Sequence, residues 1–431
     1  MNSSRSILSI LIFAVAAFGG IHRPAIAAEA TSAAPSGRWW KGNLHTHSLW
    51  SDGDDYPEMI AAWYKDRGYH FLAISDHNVM QLGERWLTVT KARGGGVALE
   101  KYLARFGKDR VEQRTVNETN RQVRLRPLPE YRVWLEEAGR FLMIPSEEIT
   151  DRHLAAPIHL NVTNIKEPLK PAGGTGVVDV IQRNVDAVNA QRKRTGQPMF
   201  LHVNHPNFGW GITAEELMRI EGDRFFEVYN GHPSVHNEGD LLHVGTEKMW
   251  DIMLAWRLAV LNLPPMFGIA VDDSHHYHTN GLKFSNPGRG WVMVRAEKLT
   301  PESLVHAMEA GDFYGSSGVV LKDVRREGTK LTVEIQAEAG VTYRTAFIGT
   351  KKDFDRTNEP IRANSGTPLR VTHRYSDDVG KVFAEIEGPV ATYEFKGDEL
   401  YVRAKVISTR PMPNPYRAGE TGAAWVQPFR P

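Results

Sequence analysis

Seven short apolar runs recur in the first part of the chain, and segments with helical patterning separate several of them. Amphipathic or helix-favouring stretches cover residues 56–67, 177–194 and 214–220. Alternation of strand-like and helix-like segments predicts parallel strands with helical crossovers, and hence an α/β barrel or a doubly wound sheet. The seven runs are GNLHTH, HFLAIS, RFLMIPSEEI, IHLNVTNI, MFLHVN, FFEVYN and MFGIAVDD.

Potential metal ligands stand at or just after the ends of these runs. A strand-end position delivers side chains to one rim of a barrel or sheet, where residues remote in sequence converge. Six imidazoles and three carboxylates make a site of nitrogen and oxygen ligands, which suits Zn, Mn or Fe. The nine candidates are His45, His47, Asp52, His77, Glu148, His159, His205, Asp273 and His275.

Charge balance and cysteine usage exclude several classes of protein. Lys and Arg number 52 against 51 acidic residues, and the formal charge of +1 gives no global reason to expect nucleic acid or an anionic membrane as partner. The chain has no cysteine, which excludes thiolate ligands, disulfides and cysteine nucleophiles. Its 431 residues suffice for a barrel-sized domain plus a smaller one.

The amino terminus has the pattern of a secretory signal over residues 1–28. Arg5 supplies the positive start, SILSILIFAVAAFGG the apolar core, and residues 25–28 a small-residue cleavage site. The alternative is an uncleaved membrane anchor, but the apolar run is short for a span. We therefore expect export to the periplasm or beyond, with no stable membrane span after cleavage.

Two regions interrupt or follow the alternation of strands and helices. Residues 83–140 form a long insertion with 13 basic and 8 acidic residues, a local excess of +5. This insertion would favour anionic substrates if it covers the metal rim, and is otherwise a solvated face. Residues 319–431 alternate like strands between turn residues, which predicts a small all-β domain for packing or subunit contact. The preceding barrel would then span residues 37–318.

The order of the ligand motifs resembles that of the PHP (polymerase and histidinol phosphatase) superfamily. The chain has H-x-H followed by D-G, then S-D-H, E-I-T, a strand histidine, N-H-P and D-x-H, within residues 40–318. Four further stretches, NHPNFGW, FFEVYNGHP, AVDDSHHYH and NPGRGWVMV, look like the carbaryl-hydrolase-like branch of that superfamily. The resemblance implies a distorted (β/α)7 barrel, which agrees with the seven apolar runs.

The resemblance also implies how the nine candidates divide among two or three divalent ions. In that assignment the first ion takes His45, His47, Glu148 and Asp273, the second Glu148, His159 and His205, and the third, where present, Asp52, His77 and His275. One position departs from the family pattern, because Ser146 stands where a glycine is usual. Either Glu147 or Glu148 could then be the bridging carboxylate, and motif alignment favours Glu148.

Other polar residues allow both a functional and a structural interpretation. Asp76 and Asp272 stand next to ligands and could each orient a histidine, and Asp76 could equally cap a turn. His202 is three residues from His205, so strand alternation puts it on the other face, and a structural role is favoured. Arg289, between two glycines, is the best candidate for an anion contact. Residues that could meet the substrate or simply fix loops are Asn204, Asn230, His276 and His278.

These observations favour an exported metallohydrolase in which a metal-bridging hydroxide attacks phosphorus or a carbonyl carbon. The basic insertion and Arg289 favour small-molecule phosphoesters, whereas the branch resemblance points to aryl carbamates or carboxyl esters. We expect Glu148, Asp273, His275 and Arg289 to take part in catalysis. The alternative from another functional class is a non-catalytic metal-dependent binding protein. Missing metal ligands would indicate that alternative, but all nine expected ligands are present. A nuclease is disfavoured by the near-neutral charge.

Overall fold

The computed structural model describes residues 37–117 and 120–431, which fall within one compact unit. The predicted signal segment, residues 1–28, lies outside the described residues. In the described part of the chain, no helix has the length and apolarity that crossing a membrane requires.

The described residues form 22 strands, and all seven apolar runs are among them. Those of the first part are β1 (Arg38–Asn43), β2 (Phe71–Ala73), β3 (Arg85–Thr88), β4 (Gln113–Val116), β5 (Asn120–Leu125), β6 (Leu142–Ile144), β7 (Ser146–His153), β8 (Ala156–Thr163), β9 (Phe200–Val203), β10 (Phe225–Asn230) and β11 (Phe267–Val271). Those of the second part are β12 (Trp291–Ala296), β13 (Phe313–Ser316), β14 (Leu321–Glu327), β15 (Lys330–Ile335), β16 (Tyr343–Lys351), β17 (Asn358–Glu359), β18 (Arg374–Tyr375), β19 (Lys381–Glu387), β20 (Val390–Glu394), β21 (Glu399–Pro411) and β22 (Thr421–Val426).

Helices separate many strands of the first part. The α-helices are α1 (Pro57–Asp66), α2 (Gly95–Phe106), α3 (Leu128–Leu135), α4 (Val177–Thr195), α5 (Ala214–Leu217), α6 (Thr246–Trp256) and α7 (Pro301–Glu309). Three of them, α1, α4 and α5, occupy the predicted helical stretches. The longest, α4, buries Val177, Val180, Ile181, Val185 and Val188, whose spacing of three and four residues places them on one face. This face packs on β7, β8 and β9.

Two main sheets carry the ligand-bearing strands. The larger has the order β19-β16-β21-β22-β13-β12-β1-β2-β6, and the smaller has the order β11-β10-β9-β8-β7. β1, β2 and β6 are parallel, as are β9, β10 and β11, but β8 runs antiparallel to both β7 and β9. The prediction of parallel strands is therefore wrong at β8. Only residues 154–155 separate β7 from β8, whereas a parallel return needs a crossover of about a dozen residues or more.

The expected seven-stranded barrel is not closed by continuous hydrogen-bonded ladders between the described strands. The ladders end at the edges of the two sheets. Two isolated parallel bridges connect the loops after β1 and β2 with the two edge strands of the smaller sheet. Thr46 pairs with Ser274, which follows β11, and His77 pairs with Glu148 in β7. The fold is thus a mixed α/β structure in which the carboxyl ends of strands from both sheets meet.

Strands after residue 318 continue the larger sheet. β13 pairs with β12 on one side and with β22 on the other, and β22 leads on to β21, β16 and β19. Only β14, β15 and β20 form a separate three-stranded sheet there, beside the small pair β17–β18. Alternating strands at the end of the chain therefore extend an existing sheet, and we describe residues 37–431 as one unit.

The insertion at residues 83–140 folds as a small sheet, β3-β5-β4, with α2 and α3 beside it. Its apolar side chains, Leu99, Tyr102 and Val123 among them, pack with Trp50 and Tyr56 in one buried cluster. Trp50 belongs to the loop between β1 and α1, which also carries Asp52. The insertion therefore supports the loop that supplies a candidate ligand.

Candidate metal centre

The bridges between the two sheets bring the ligand-bearing segments together. Thr46 lies next to Ser274, and His77 lies next to Glu148. The amide of His47 also donates to the carbonyl of Ser274 at 2.9 Å. The loops after β1, β2 and β11 therefore meet the start of β7, and all nine candidate ligands lie there in linked groups.

Glu148 lies at the centre of these groups. Its Oε2 atom is 3.4 Å from His45 Nε2, 3.2 Å from His47 Nε2 and 3.1 Å from His77 Nδ1. Its Oε1 atom is 3.0 Å from His159 Nδ1. Because the two oxygens face different imidazoles, this carboxylate is placed to bridge two ions.

The first group consists of His45 Nε2, His47 Nε2, Asp273 Oδ1 and Glu148 Oε2. The five distances measured among these atoms run from 3.1 to 3.4 Å. A tetrahedral ion with bonds of about 2.0–2.1 Å holds its ligand atoms about 3.3 Å apart. The four atoms are therefore spaced like the ligands of one divalent ion.

A second group contains one ligand atom each from His77, Glu148 and His159, all within 4.8 Å of one another. His205 Nε2 lies 3.8 Å from Glu148 Oε1 and 3.8 Å from Asp273 Oδ2. His205 thus stands between the first group and the second. The resemblance assigned His159 and His205 to the second ion, and the structure places His77 beside His159.

The third group is centred on Asp52. Its Oδ1 atom is 3.3 Å from His275 Nε2 and 3.6 Å from both His47 Nδ1 and His77 Nε2. His275 Nδ1 lies 3.0 Å from the carbonyl of Asp273, and a hydrogen bond there leaves Nε2 free to face Asp52. Since His47 and His77 each present their other nitrogen to Glu148, the three groups are continuous.

Buried polar atoms in the cluster fit divalent cations. Glu148 is fully buried, and its Oε2 atom makes no hydrogen bond with any described residue. Burial opposes ionisation of this carboxyl, but the nearby histidines, His77 foremost, hold its pKa well below the usual value. Burial, and then His275, lower the pKa of His47 to about 3, so that ring is neutral near pH 7, as a metal ligand must be.

Glu147 points away from the cluster, as strand alternation requires of the neighbour of Glu148. It is fully buried and accepts a hydrogen bond from the amide of Leu169 at 2.6 Å. Burial raises the pKa of Glu147 to about 7. Of the two adjacent glutamates, only Glu148 therefore contacts the candidate ligands.

Glu227, on β10, is a site residue that the sequence reasoning missed. Its Oε1 atom is 2.6 Å from His45 Nδ1 and 3.2 Å from His202 Nε2. Its Oε2 atom accepts hydrogen bonds from the amide of His205 and the side chain of Asn230, both at 2.8 Å. A carboxylate behind a ligating histidine fixes the ring and directs its other nitrogen to the ion. The available signal was a lone acidic residue within the apolar run FFEVYN.

We expect Glu227→Gln to weaken metal retention and activity by about 10- to 100-fold, because an amide holds the His45 Nδ1–H less firmly than a carboxylate does. The check is metal content after dialysis, together with kcat/KM of the reloaded protein. Glu420→Gln is a matched control, since Glu420 is also buried but accepts from Tyr229 at 2.9 Å. Equal metal retention in the two variants would refute the orienting role of Glu227.

The remaining polar candidates mostly hold the frame of the site. Asp76 accepts from the amide and hydroxyl of Ser48 at 2.8 and 2.7 Å, which fixes the loop after His47. Asp272 accepts from the amides of residues 288–290 at 2.6–2.9 Å. His202 contacts Glu227 and is absent from the candidate ligand groups in the described chain. Asn204 donates to the carboxylate of Glu148, and Asn230 donates to those of Glu227 and Asp273. His276 and His278 lie in the loop between β11 and β12.

Arg289 does not contact the candidate ligands, which corrects the expectation of an anion contact. The residue is fully buried, and its guanidinium donates to the carbonyls of Gly231, Gly281, Asn414 and Pro415 at 2.9–3.2 Å. Arg289 instead brings together three backbone segments, at Gly231, at Gly281 and at residues 414–415. The guanidinium of Arg289 therefore donates to groups of the protein itself and has a structural role.

Comparisons with known proteins return distant structural likenesses. No family model matches the chain, and no curated protein matches it. A two-domain protein from Bacteroides vulgatus containing a predicted PHP-like metal-dependent phosphoesterase is 14% identical, with a TM-score of 0.40 over 92% of this chain and 97% of that one. PsfC from Pseudomonas syringae is 12% identical, with a TM-score of 0.30 over 63% and 88% of the two chains. A proposed metal-dependent phosphoesterase from Bifidobacterium adolescentis is 13% identical, with a TM-score of 0.27 over 56% and 89%.

Proposed function

We propose that this protein is a metal-dependent hydrolase of phosphoesters, related to the PHP superfamily and to its carbaryl-hydrolase-like branch. The observation that carries the proposal is the position of Glu148. Its Oε2 atom lies 3.1–3.4 Å from nitrogens of His45, His47 and His77, and its Oε1 atom lies 3.0 Å from His159 Nδ1 and 3.8 Å from His205 Nε2. A carboxylate shared between sets of histidine ligands is the pattern of hydrolytic sites with two or more ions. The motif order supports the same superfamily.

The candidate residues have distinct roles in such a reaction. His45, His47 and Asp273 would hold one ion, His77, His159 and His205 a second, and Asp52 and His275 a third, with Glu148 shared. Divalent ions, when bound there, supply Lewis acidity and lower the pKa of a water molecule. Glu227 keeps the ring of His45 in place by the contact of 2.6 Å. The buried carboxylates Glu148 and Asp273 remain ionised, because histidines hold the pKa of each well below its usual value against the effect of burial.

Charge at the rim supports an anionic substrate. Arg93, from the basic insertion, donates to the carbonyl of Asp52 at 2.6 Å, and its Nη1 atom is 3.6 Å from Asp52 Oδ2. The Arg93 side chain is 58% exposed, so it has donors left for a ligand. An aromatic ring, Phe208, lies 5.1 Å from the ring of His205 and 5.9 Å from that of His159. This ring supports an apolar or aromatic leaving group beside the second set of ligands.

We expect Arg93→Ala to lower kcat/KM for an aryl phosphate by about fivefold to tenfold, while turnover of a neutral aryl ester changes less than twofold, because a guanidinium forms charge-assisted hydrogen bonds mainly with anions. Steady-state rates with both substrates are the measurement. Arg140→Ala is the matched control, since Arg140 belongs to the same insertion, is 70% exposed and pairs with Glu137. Equal losses for both substrates would assign Arg93 a structural role at the Asp52 loop.

A substrate panel tests the proposed reaction. Protein loaded with Mn or Zn is assayed on phosphomonoesters, phosphodiesters, aryl acetates and aryl carbamates, with a chelated sample as control. Hydrolysis of phosphoesters that chelation abolishes and metal restores is the expected result. Turnover of carbamates or acetates without any phosphoesterase activity would show that the protein is a hydrolase of carbamates or carboxyl esters and not of phosphoesters. Tight metal binding without any turnover would favour the binding-protein alternative.

Export is a further part of the proposal and rests on the pattern of residues 1–28 alone. Expression of the complete chain in a bacterium, followed by fractionation and amino-terminal sequencing, tests it. The expected product is periplasmic or secreted and begins at residue 28 or 29. An intact amino terminus in the membrane fraction would support the uncleaved anchor instead.

A further inference from the structure

His232, in the loop after β10, lies beside the candidate metal ligands and belongs to none of their groups in the described chain. Its ring centroid is 5.5 Å from that of His275, and the two rings meet at 73°. The same ring lies 6.3 Å from that of Phe208, at 89°. Phe208 in turn contacts the rings of His159 and His205. His232 therefore borders both the ligands and the aromatic ring proposed for the leaving group.

One ring nitrogen of His232 is committed to its own loop. The backbone N–H of Ser234 donates to Nδ1 at 3.1 Å. A ring nitrogen that accepts a hydrogen bond carries no proton, and a protonated imidazole has no acceptor, so this contact requires the neutral ring with its proton on Nε2. The loop thereby fixes the tautomer and makes Nε2 a donor.

The Nε2 atom of His232 is free to donate to a bound molecule. It has no hydrogen-bond partner among the described residues, and unlike the enclosed Nδ1 of His202 it keeps accessible surface. The His232 side chain as a whole is partly exposed. A substrate that binds at the ligands can therefore reach this donor.

Buried polar groups hold the loop that carries His232. The amide of His232 donates to Asn230 Oδ1 at 2.8 Å, and Asn230 Nδ2 donates to Asp273 Oδ2 at 3.1 Å. The guanidinium of Arg289 donates to the carbonyl of Gly231 at 2.9 Å. Both Asn230 and Arg289 are fully buried. His232 is therefore fixed relative to Asp273, and such a fixed position is what a side chain needs to meet a reacting atom.

The two neighbours of His232 identify the substrate atom that its Nε2 meets. In the proposed reaction the organic group of the substrate lies on Phe208, and the phosphoryl group lies at the ligands. The oxygen that joins these two groups then falls beside His232, because this ring borders both. Negative charge develops on that oxygen as its bond to phosphorus breaks, and a fixed donor aimed at developing charge lowers the barrier.

We propose that His232 donates a hydrogen bond from Nε2 to the leaving-group oxygen of the phosphoester, a role that rests on the proposed function. A water oxygen forms the new bond to phosphorus, the P–O bond to the leaving group breaks, and its electron pair stays on the leaving oxygen. The water releases one proton to solvent, and the departing alkoxide or phenoxide takes one from solvent. The imidazole keeps its proton throughout and stabilises the charge of the leaving oxygen.

Two variants of His232 separate the roles of its two nitrogens. His232→Asn keeps an acceptor for the amide of Ser234, two residues on, and removes the distant donor. His232→Gln places an amide N–H near the position of Nε2. Rates are measured with phenyl phosphate, which has a poor leaving group, and with para-nitrophenyl phosphate, which has a good one.

We expect His232→Asn to lower kcat about 100-fold for phenyl phosphate and less than about fivefold for para-nitrophenyl phosphate, because the nitrophenoxide needs little help with its charge. KM should change less than about threefold for both substrates. His232→Gln should recover at least about tenfold of the loss for phenyl phosphate. A residue that only shapes the loop would give the same loss for both substrates.

His236→Asn is the matched control, since His236 is an exposed histidine of the same loop whose ring stacks on Trp210. It should leave both rates within about twofold of the parent. Nitrogen NMR of isotope-labelled, zinc-loaded protein gives a readout apart from activity. The His232 signals, identified by their absence in His232→Asn, should report a protonated Nε2 and an unprotonated Nδ1.

Three outcomes would overturn the role of His232 and leave the proposed function intact. They are an equal loss for both phosphates in His232→Asn, no recovery in His232→Gln, and a proton on Nδ1 of His232. A parent protein without phosphoesterase activity would refute the proposed function and this role together.

Discussion

Glu148→Gln is expected to lower kcat/KM of the metal-loaded protein on the order of 1000-fold or more, with the fold retained. The carboxylate at this position faces four imidazoles, and an amide offers one oxygen where the site needs two. Loss of the bridge removes an ion or misplaces both, and residues that act as one unit show effects of this size. Metal content, steady-state rates and circular dichroism of the same preparation measure the three parts of the expectation.

Glu147→Gln is the matched control for Glu148→Gln, because it changes the adjacent buried glutamate on the other face of β7. Its carboxylate accepts from the amide of Leu169, away from the ligands, so activity should fall less than about threefold while stability falls by roughly 1 kcal/mol. An inactive Glu147→Gln beside an active Glu148→Gln would reverse the assignment of the bridge. Normal activity in both variants would remove the basis of the proposed function.

Arg403→Met is expected to destabilise the protein by about 3–5 kcal/mol, since it leaves a buried carboxylate without its cation. Arg403, on β21, donates to both oxygens of Asp251, on α6, at 2.8 and 2.7 Å, and the two residues are 1% and 3% exposed. After the substitution Asp251 keeps one side-chain hydrogen bond, from the hydroxyl of Tyr401 at 2.9 Å. Urea unfolding followed by tryptophan fluorescence gives the change in stability.

Two companion variants separate the effect of charge burial from simple loss of contacts. Arg403→Met combined with Asp251→Leu removes both charges and should recover at least about half of the loss. Lys405→Met breaks the neighbouring pair with Glu247, whose side chains are 24% and 28% exposed, and should cost less than about 1 kcal/mol. A stability loss for Arg403→Met no greater than that for Lys405→Met would contradict the expected role of the buried pair.

Much of the strand content was predictable, because each of the seven runs has the length of a strand and helix-like segments separate several of them. The direction of each strand and the strands with which it pairs were harder to predict from the sequence. The residue pattern of a run such as IHLNVTNI is compatible with a parallel or an antiparallel strand. Only the short link before it indicates that β8 runs antiparallel to β7. Likewise, alternation after residue 318 predicts strands, but it does not distinguish a separate sheet from an extension of the first.

The candidate site was predictable where residue type and position coincide. Histidines and aspartates at run ends, such as His45 and Asp273, meet because strand ends meet. Glu227 was missed because a single charge inside an apolar run has no periodic signal, and its role emerges only from its contact with His45. Arg289 was misjudged for the opposite reason. Its position between two glycines made it the best candidate for an anion contact, but the side chain is buried and its guanidinium donates to four carbonyls.

The place of β22 in the nine-stranded sheet has a consequence for the time at which the protein can fold. β22 is held between β13 and β21, and the hydrogen bond that joins Ser316 to Ala423 closes a separation of 107 residues. β1 similarly cannot pair until β12 has been synthesised. The hydrogen bond from Trp40 in β1 to Ala296 in β12 joins residues that are 256 positions apart. Pairing over such separations is slow, and an inner strand without its neighbour presents an open edge on which chains aggregate. β22 follows the other eight strands of this sheet in the chain, so a ribosome delivers it after them and the sheet stays incomplete until then.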